Sequence, residues 1–594
     1  MIFDLANTAL SVLVIGSLIS LSFLLPEREG FLQPSSQKTK KFLVLASGVW
    51  VLAAIGNMLE TLAEIFDSNI TEILTVNVIR SFATQVTLGK LLIFQIVCAI
   101  LVFSLASRVK KNGGAFWLLV ISLLGTVAPL FQSHSSSLGS HGLAIGSLII
   151  HVIALSFWLG SVLALYLMNS NDKQLAFPRV STIALWSAIA VVSSGAANSW
   201  TRLRLSDEWF TAYGALIALK ISLTLSVILI AARIRRSISN SNFLPVELAV
   251  MGLILGIGAI LNRYTPVESA PAVFDKTREL VGISMPPAPN LNNVLLKYEA
   301  NGIVLGILIF ATALYIRGVV TLARRGDKWP VGRTVSFAIG IALLDFATSG
   351  GLGIYAHFSF QYHMIAHMVL SMIAPIALVL SAPITLALRT LPIAREKGER
   401  GIRGTFLAAL NSRPTSIWTH PLVALAIFDG SLLALYFTPL FGNLMGMHFG
   451  HLLMDLHFIA AGLLFFHVIV GIDPNPRKVH HLVRIVMLLA AMSIHAFFSV
   501  ALMSANQLID NGYYALLERP WATDLLSDQK SGAAVGWAMG EIPIVVALIA
   551  TFIQWMRSDA REAKRADRRS ATDLAQYNAY LQQLADRDDK REPK

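Results

Sequence analysis

Two histidines four residues apart, His363 and His367, stand near the start of a long apolar run from Gly353 to Ile384, GIYAHFSFQYHMIAHMVLSMIAPIALVLSAPI. On a helix, residues i and i+4 lie one above the other, so both imidazoles face one side. Met364, Met368 and Met372 follow at nearly the same spacing. Imidazole and thioether are ligands for soft and borderline metals, copper(I) above all. Ionisable side chains inside apolar helices are costly and are read first as functional. A second group lies in MHFGHLLMDLHF, where His448, His451 and Asp455 recur at i, i+3, i+7 on one face. His457 is about 180° from His448 at 3.6 residues per turn, so one helix cannot aim all three histidines at one ion. Taken singly, each histidine is as readily a ring bonded to a neighbouring helix. The case for metal is the cluster, and it requires these segments to pack together.

The elements that must position them are membrane helices. The 594 residues are 55% hydrophobic and only 14% charged, with mean hydropathy +0.64. This implies an all-α, polytopic helical membrane protein. The net charge of +12 and pI near 9.7 indicate loops rich in Lys and Arg on the cytoplasmic side, and no nucleic-acid partner. A single cysteine, Cys98, excludes an intrachain disulfide and CxxC chemistry. The first apolar run has Asp4 before it and no small-x-small cleavage site, and reads as a retained helix.

Runs long enough to span fall at 9–25, 42–66, 88–106, 115–132, 143–168, 180–199, 211–232, 243–262, 300–322, 334–355, 362–388, 417–438, 448–470, 482–503 and 536–556, about 15 in all. Alternate connections hold 25 Lys and Arg against 9 in the others. The alternation predicts an N-terminus outside and a C-terminus inside. Residues 266–299 contain TPVESAPA's end and MPPAPN and read as an extracytoplasmic linker. They divide a bundle of about 8 helices (1–265) from one of about 7 (300–556), followed by a charged cytoplasmic tail (557–594) expected to form a short exposed helix. TLGKLLIFQ…LASRVKK (87–111) weakly echoes AYGALIALKISL…AARIRR (212–236), as an old repeat would.

This topology puts ten of the 14 histidines toward the extracytoplasmic side. They include His363, His367, His448, His451 and His457, His495 about two turns inside the fourteenth span, and His134, His141 and His151 in the first half. Other polar residues at membrane depth are Glu60, Lys220, Asp345, Asp429 and Glu541. The segment LLSDQKSGAAVGWAMGEIP (525–543) adds Asp528, Met539 and Glu541 at an outer helix entry, more than an apolar span needs.

The second half resembles the CtaG family of cytochrome c oxidase assembly factors. The likeness rests on YHMIAHMVLSMIAPIALVLSAPI, HFGHLLMDLHFIAAGLLFFHVIVGIDP, HAFFSVALM and LSDQKSGAAVGWAMGEIP. Residues 115–240 resemble, more loosely, the CopD copper-resistance family through SHSSS, HVIALSFWLGSVLAL, SSGAANSW and YGALIALKISL. The resemblance implies a bacterial plasma-membrane protein that moves or presents copper and supports a terminal oxidase. It implies cytochrome c oxidase subunits as partners and an extracytoplasmic copper chaperone as a further one. The copper ligands it implies are His363, His367, His448, His451 and His495 in the second half and His134 and His151 in the first. Lys220 is a family feature without a known role. Met364, Met368, Asp455, His457, Asp528, Met539 and Glu541 are supporting candidates. Two departures are that the sequence shows no soluble copper-binding β-sandwich and no thiol for a cysteine relay.

Three readings stay open at this point: copper handling, a haem-binding electron-transfer protein using paired histidines, and a metal-free assembly scaffold. No enzyme signature is present. There is no GxxxxGK(S/T) loop, and Asp275-Lys276-Thr277 is followed by Arg278, so the DKTG of phosphorylated ATPases is absent.

Overall fold

The computed structural model describes residues 2–69, 75–132, 141–236, 242–263, 275–394, 399–447, 449–477 and 479–589. Among them, 14 helices are long and apolar enough to cross a membrane, or 15 if one bent pair counts as a single span. We number them α1 (Ile2–Leu24), α2 (Pro34–Ile65), α3 (Thr87–Ala106), α4 (Asn112–Gln132), α5 (His141–Leu167), α6 (Asn171–Leu203), α7 (Ala212–Arg236) and α8 (Leu244–Leu261). The second half contains α9 (Gly302–Arg324), α10 (Val331–Thr348), α11 (Phe360–Thr390), the pair α12 (Gly401–Trp418 and Pro421–Tyr436, bent by 69°), α13 (Gly450–Val470), α14 (His481–Met503) and α15 (Leu525–Arg587). The chain is mostly helical rather than wholly so. Glu27–Arg28 pairs antiparallel with Phe31–Leu32 across a turn in which Glu29 and Gly30 both have positive φ, as a two-residue hairpin turn requires.

Each half has a large apolar core, and the first half has two smaller clusters besides. One large core joins residues between Val14 and Ile254, the other residues between Val304 and Ala547. Large apolar side chains such as Leu229, Ile309 and Ile542 point outward and are exposed. That costs nothing in lipid, where helices associate by close packing instead. The close approaches are made at glycines. A Cβ on Gly16 of α1 would lie 2.6 Å from Gly160 Cα of α5, and one on Gly146 of α5 would lie 2.4 Å from the carbonyl carbon of Gly302 of α9. The second crossing joins the two halves.

Two features differ from the sequence reading. Residues 275–299, expected as linker, carry two short helices, Lys276–Val281 and Leu291–Leu296, and dock on the second half. The carbonyls of Pro286 and Pro287 accept from Trp521 Nε1 (2.9 Å) and Tyr355 Oη (2.7 Å). The tail is no short helix, since one helix continues from Leu525 to Asp589. Between Met556 and Asp589 the sequence has neither Gly nor Pro and is rich in Ala, Glu, Arg, Gln and Leu, so nothing ends the helix where the apolar residues stop. At 1.5 Å per residue it is about 100 Å long, far beyond one bilayer.

Candidate metal centre

The helix at the start of α11, Phe360–Met368, carries His363 and His367 and is clamped at its N-terminus by a carboxylate from α15. Asp528 accepts from Phe360 N (2.9 Å), Gln361 N (3.3 Å) and Ser359 Oγ (2.8 Å). These are backbone donors a helix start leaves unpaired, and a negative charge suits that end of the helix dipole. Asp528 is itself paired with buried Arg519 at 2.9 Å, and Arg519 also donates to Phe358 O at 2.6 Å. Below the histidines the helix widens into a π turn, Val369–Ile373, a distortion often found at functional sites.

Glycines on two neighbouring helices let them pack closely around this segment. On α15, Gly532, Gly536 and Gly540 recur every four residues, and Cβ atoms there would lie 2.6 Å from Phe360, 3.0 Å from Met364 and 2.7 Å from His495. On α13, a Cβ at Gly462 would lie 2.0 Å from Ser371 O in the π turn. The α13 backbone therefore rests on α11, and His451 and Asp455, two to three turns earlier, face the α11 histidines.

His363, His367 and His451 converge. Each offers one ring nitrogen, and the three lie within 4.8 Å of one another. His363 and His367 are 0% exposed and His451 6%. Tyr436, at the end of α12 and 1% exposed, holds two of the rings: its hydroxyl is 2.9 Å from His363 Nε2 and 2.9 Å from His367 Nδ1. Asp455 lies 3.4 Å from His451 Nδ1 and 3.8 Å from His367 Nε2. Phe441 and Phe458 pack on the His363 and His367 rings, with centroids at 5.0 and 4.2 Å. One nitrogen of each ring, His363 Nδ1, His367 Nε2 and His451 Nε2, is buried without a hydrogen-bond partner, as is Asp455 Oδ1. Buried polar atoms are rarely left so. Three unsatisfied imidazoles beside a carboxylate are a donor set that fits a copper or zinc ion.

His357, between α10 and α11, stacks on His451 with centroids 3.9 Å apart and has Nδ1 2.9 Å from Gly353 O. Burial, and then the neighbouring His451, push its imidazole down to about 3, so it stacks as a neutral ring.

The remaining candidates are elsewhere. His495 on α14 is buried but outside the trio, with Nδ1 3.1 Å from Asp429 Oδ1. His457 is exposed on the far face of α13, as its spacing implies. Met364 and Met368 are buried against α15, and Met539 is partly buried in the core of the second half. Glu541 accepts from Trp537 Nε1, so Asp528 positions α11 while Glu541 serves its own helix. His448 and His134, with the SHSSS segment, lie outside the described residues. In the first half, His151 has Nδ1 3.1 Å from Val191 O and 3.2 Å from Ser194 Oγ, while Nε2 is buried without a partner. Ser194 and Asn198 of SSGAANSW thus tie α6 to α5, Asn198 reaching Ala144 O and Ser147 Oγ at 3.4 Å. Lys220 Nζ of α7 lies 3.6 Å from where a Cβ on Gly258 of α8 would be. Tyr436 was missed in the sequence. Its one signal was its place seven residues after Asp429, two turns along the same face.

Comparison with known proteins finds family matches in both halves of the chain. Residues 313–558 match the cytochrome c oxidase caa3 assembly factor family (Caa3_CtaG). Residues 4–144 match the copper resistance protein D-like N-terminal domain, and residues 174–261 match copper resistance protein D. Uncharacterized proteins of Mycobacterium bovis and Mycobacterium tuberculosis are each 36% identical over 310 residues, 51% of this chain and 47% of theirs. The copper transport protein CutJ of Bacillus subtilis is 26% identical over 215 residues, 32% of this chain and 40% of its own. The chain spans about half the length of the curated relatives it matches. No solved structure matches it. One polypeptide therefore carries copper resistance protein D-like N-terminal and CopD regions together with a Caa3_CtaG assembly-factor region.

Proposed function

We propose that this chain is a multi-pass protein of the bacterial plasma membrane that takes copper(I) as cargo. The CopD-like half (1–265) moves or receives it, and the CtaG-like half (300–556) presents it for assembly of cytochrome c oxidase. The observation that carries this reading is the convergence of His363, His367 and His451, each with a buried, unpartnered nitrogen. The donor chemistry alone suits copper or zinc, and the matched families favour copper. His448 joins these ligands in the proposal, with Asp455 and Tyr436 orienting the rings. His151 and His134 serve the first half, with Lys220 as a further candidate there. The loop charges support a cytoplasmic C-terminal tail and an N-terminus outside, which puts the trio nearer an extracytoplasmic chaperone than the cytoplasm.

A haem reading is disfavoured by the packing. His363 and His367 are 3.9 Å apart between ring centroids, and Phe441 and Phe458 close around them. The space suits an ion, not a macrocycle, and purified protein should lack a Soret band. The test of delivery is made in cells. With His363→Ala and His367→Ala combined, the membrane should retain this protein but lose copper-replete, active cytochrome c oxidase. A fully active oxidase in that strain would instead favour a metal-free scaffold.

A further inference from the structure

We infer that a second copper(I) station, separate from the three-histidine site, is built from His495 of α14 and Met368 of α11, with Asp429 of α12 behind it. The inference rests on the copper reading of the second half. His495 is 3% exposed, and its Nδ1 meets Asp429 Oδ1 at 3.1 Å. A carboxylate at Nδ1 holds the proton there and leaves the lone pair on Nε2, the arrangement used behind metal-bound histidines. That Nε2 is buried without a partner, as are Asp429 Oδ2 and, one turn along α14, Ser499 Oγ.

The free nitrogen and the Met368 thioether border the same bare stretch of α15. A Cβ on Gly540 would lie 2.7 Å from His495 Cδ2, 3.2 Å from His495 Nε2 and 3.5 Å from Met368 Sδ. Glycine at residue 540 lets the ring edge and the sulfur come this close to one point on the helix. One imidazole and one thioether form a soft pair suited to copper(I) rather than zinc. Asp429, 1% exposed, supplies the negative charge that makes a monovalent cation tolerable at this depth. It is set in a π turn, Ala426–Gly430, just as Met368 immediately precedes the π turn of α11. Because Met368 follows His367 in the chain, the two stations occupy consecutive residues of one helix. An ion leaving the three histidines has a second, softer site next to it.

The test uses the full-length protein in detergent, loaded anaerobically with copper(I) against a chelator that strips weakly held ions. The copper-to-protein ratio is read together with Cu K-edge X-ray absorption. In a His134→Ala, His151→Ala background, which removes the candidate ligands of the first half, the chain should hold about two ions and show a copper–sulfur shell. Met368→Leu, which conserves volume, should fall to about one and lose that shell, and Gly540→Ala, whose added Cβ would crowd the His495 ring edge without removing a ligand, should do the same. His363→Ala with His367→Ala should keep about one ion with its sulfur shell. Retention of the background's ratio and sulfur shell by Met368→Leu would overturn the second station while leaving the three-histidine site standing. Loss of copper in Met368→Leu, with a full complement in the histidine double variant, would uphold the second station and overturn the first.

Discussion

His363 and His367, one helical turn apart with ring centroids at 3.9 Å, close on a single hydroxyl, each 2.9 Å from Tyr436 Oη. A phenol has one hydrogen to donate and lone pairs for two acceptances. With no ion between the rings, Tyr436 donates to one imidazole and accepts from the other. For both outer nitrogens, His363 Nδ1 and His367 Nε2, to offer lone pairs to one ion, both inner nitrogens must carry hydrogen and Tyr436 must accept twice. Loading of the proposed ion would therefore include a tautomer exchange in one ring, guided by this hydroxyl.

Tyr436→Phe removes that guide and keeps the ring's packing. Copper(I) affinity should fall about 10- to 100-fold, as for other groups behind metal ligands, with the same stoichiometry at saturation. A chelator competition titration measures it, and an unchanged affinity would count against the role given to Tyr436.

Asp528→Asn leaves the buried Arg519 unpaired and weakens the anchoring of the Phe360–Met368 helix. Breaking one partner of a buried pair costs about 3–5 kcal/mol, so thermal unfolding in detergent should come well below wild type. Lost helix anchoring should also appear as faster amide exchange at 360–364.

Gly462→Val puts a side chain where Ser371 O already lies. It should push α13 from the π turn, carry His451 and Asp455 away from His367, and reduce both copper binding and stability. Gly256→Ala, on α8 with nothing within 4 Å of the added carbon, is the control and should change neither. Equal effects from both would mean that helix propensity, not contact, decides.

His457→Ala should bind copper as wild type does, since His457 is exposed on the face of α13 away from the trio. Reduced binding in the same chelator competition would show a ligand role that the geometry does not give it.

The succession of candidate spans was legible because apolar length is a local property. Among the described residues the expected spans correspond to α1 through α15, with α12 read as one span from a bent pair of helices. His363 and His367 were found by their i, i+4 spacing on one helix. What spacing could not give was which faces meet. Gly462 on Ser371 and the Gly532, Gly536 and Gly540 series decide that, and a glycine in an apolar run reads as filler until its neighbour is known. His495 was pooled with the trio because depth along a helix is readable and rotation between helices is not. Tyr436 was missed because a tyrosine in a membrane span looks like an interfacial anchor. The tail was underestimated by treating loss of hydrophobicity as the end of a helix, whereas only Gly, Pro or a cap ends one.

The central claim is that His363, His367 and His451 hold one ion together. It is tested most directly by a chelator competition titration of copper(I) on His363→Ala, His367→Ala, His451→Ala and the pair His363→Ala with His451→Ala. The account predicts that every single variant weakens binding at the same site and that the pair costs clearly less than the two single losses combined, as for residues sharing one partner. Strictly additive losses, or wild-type affinity in any one of the three, would contradict it.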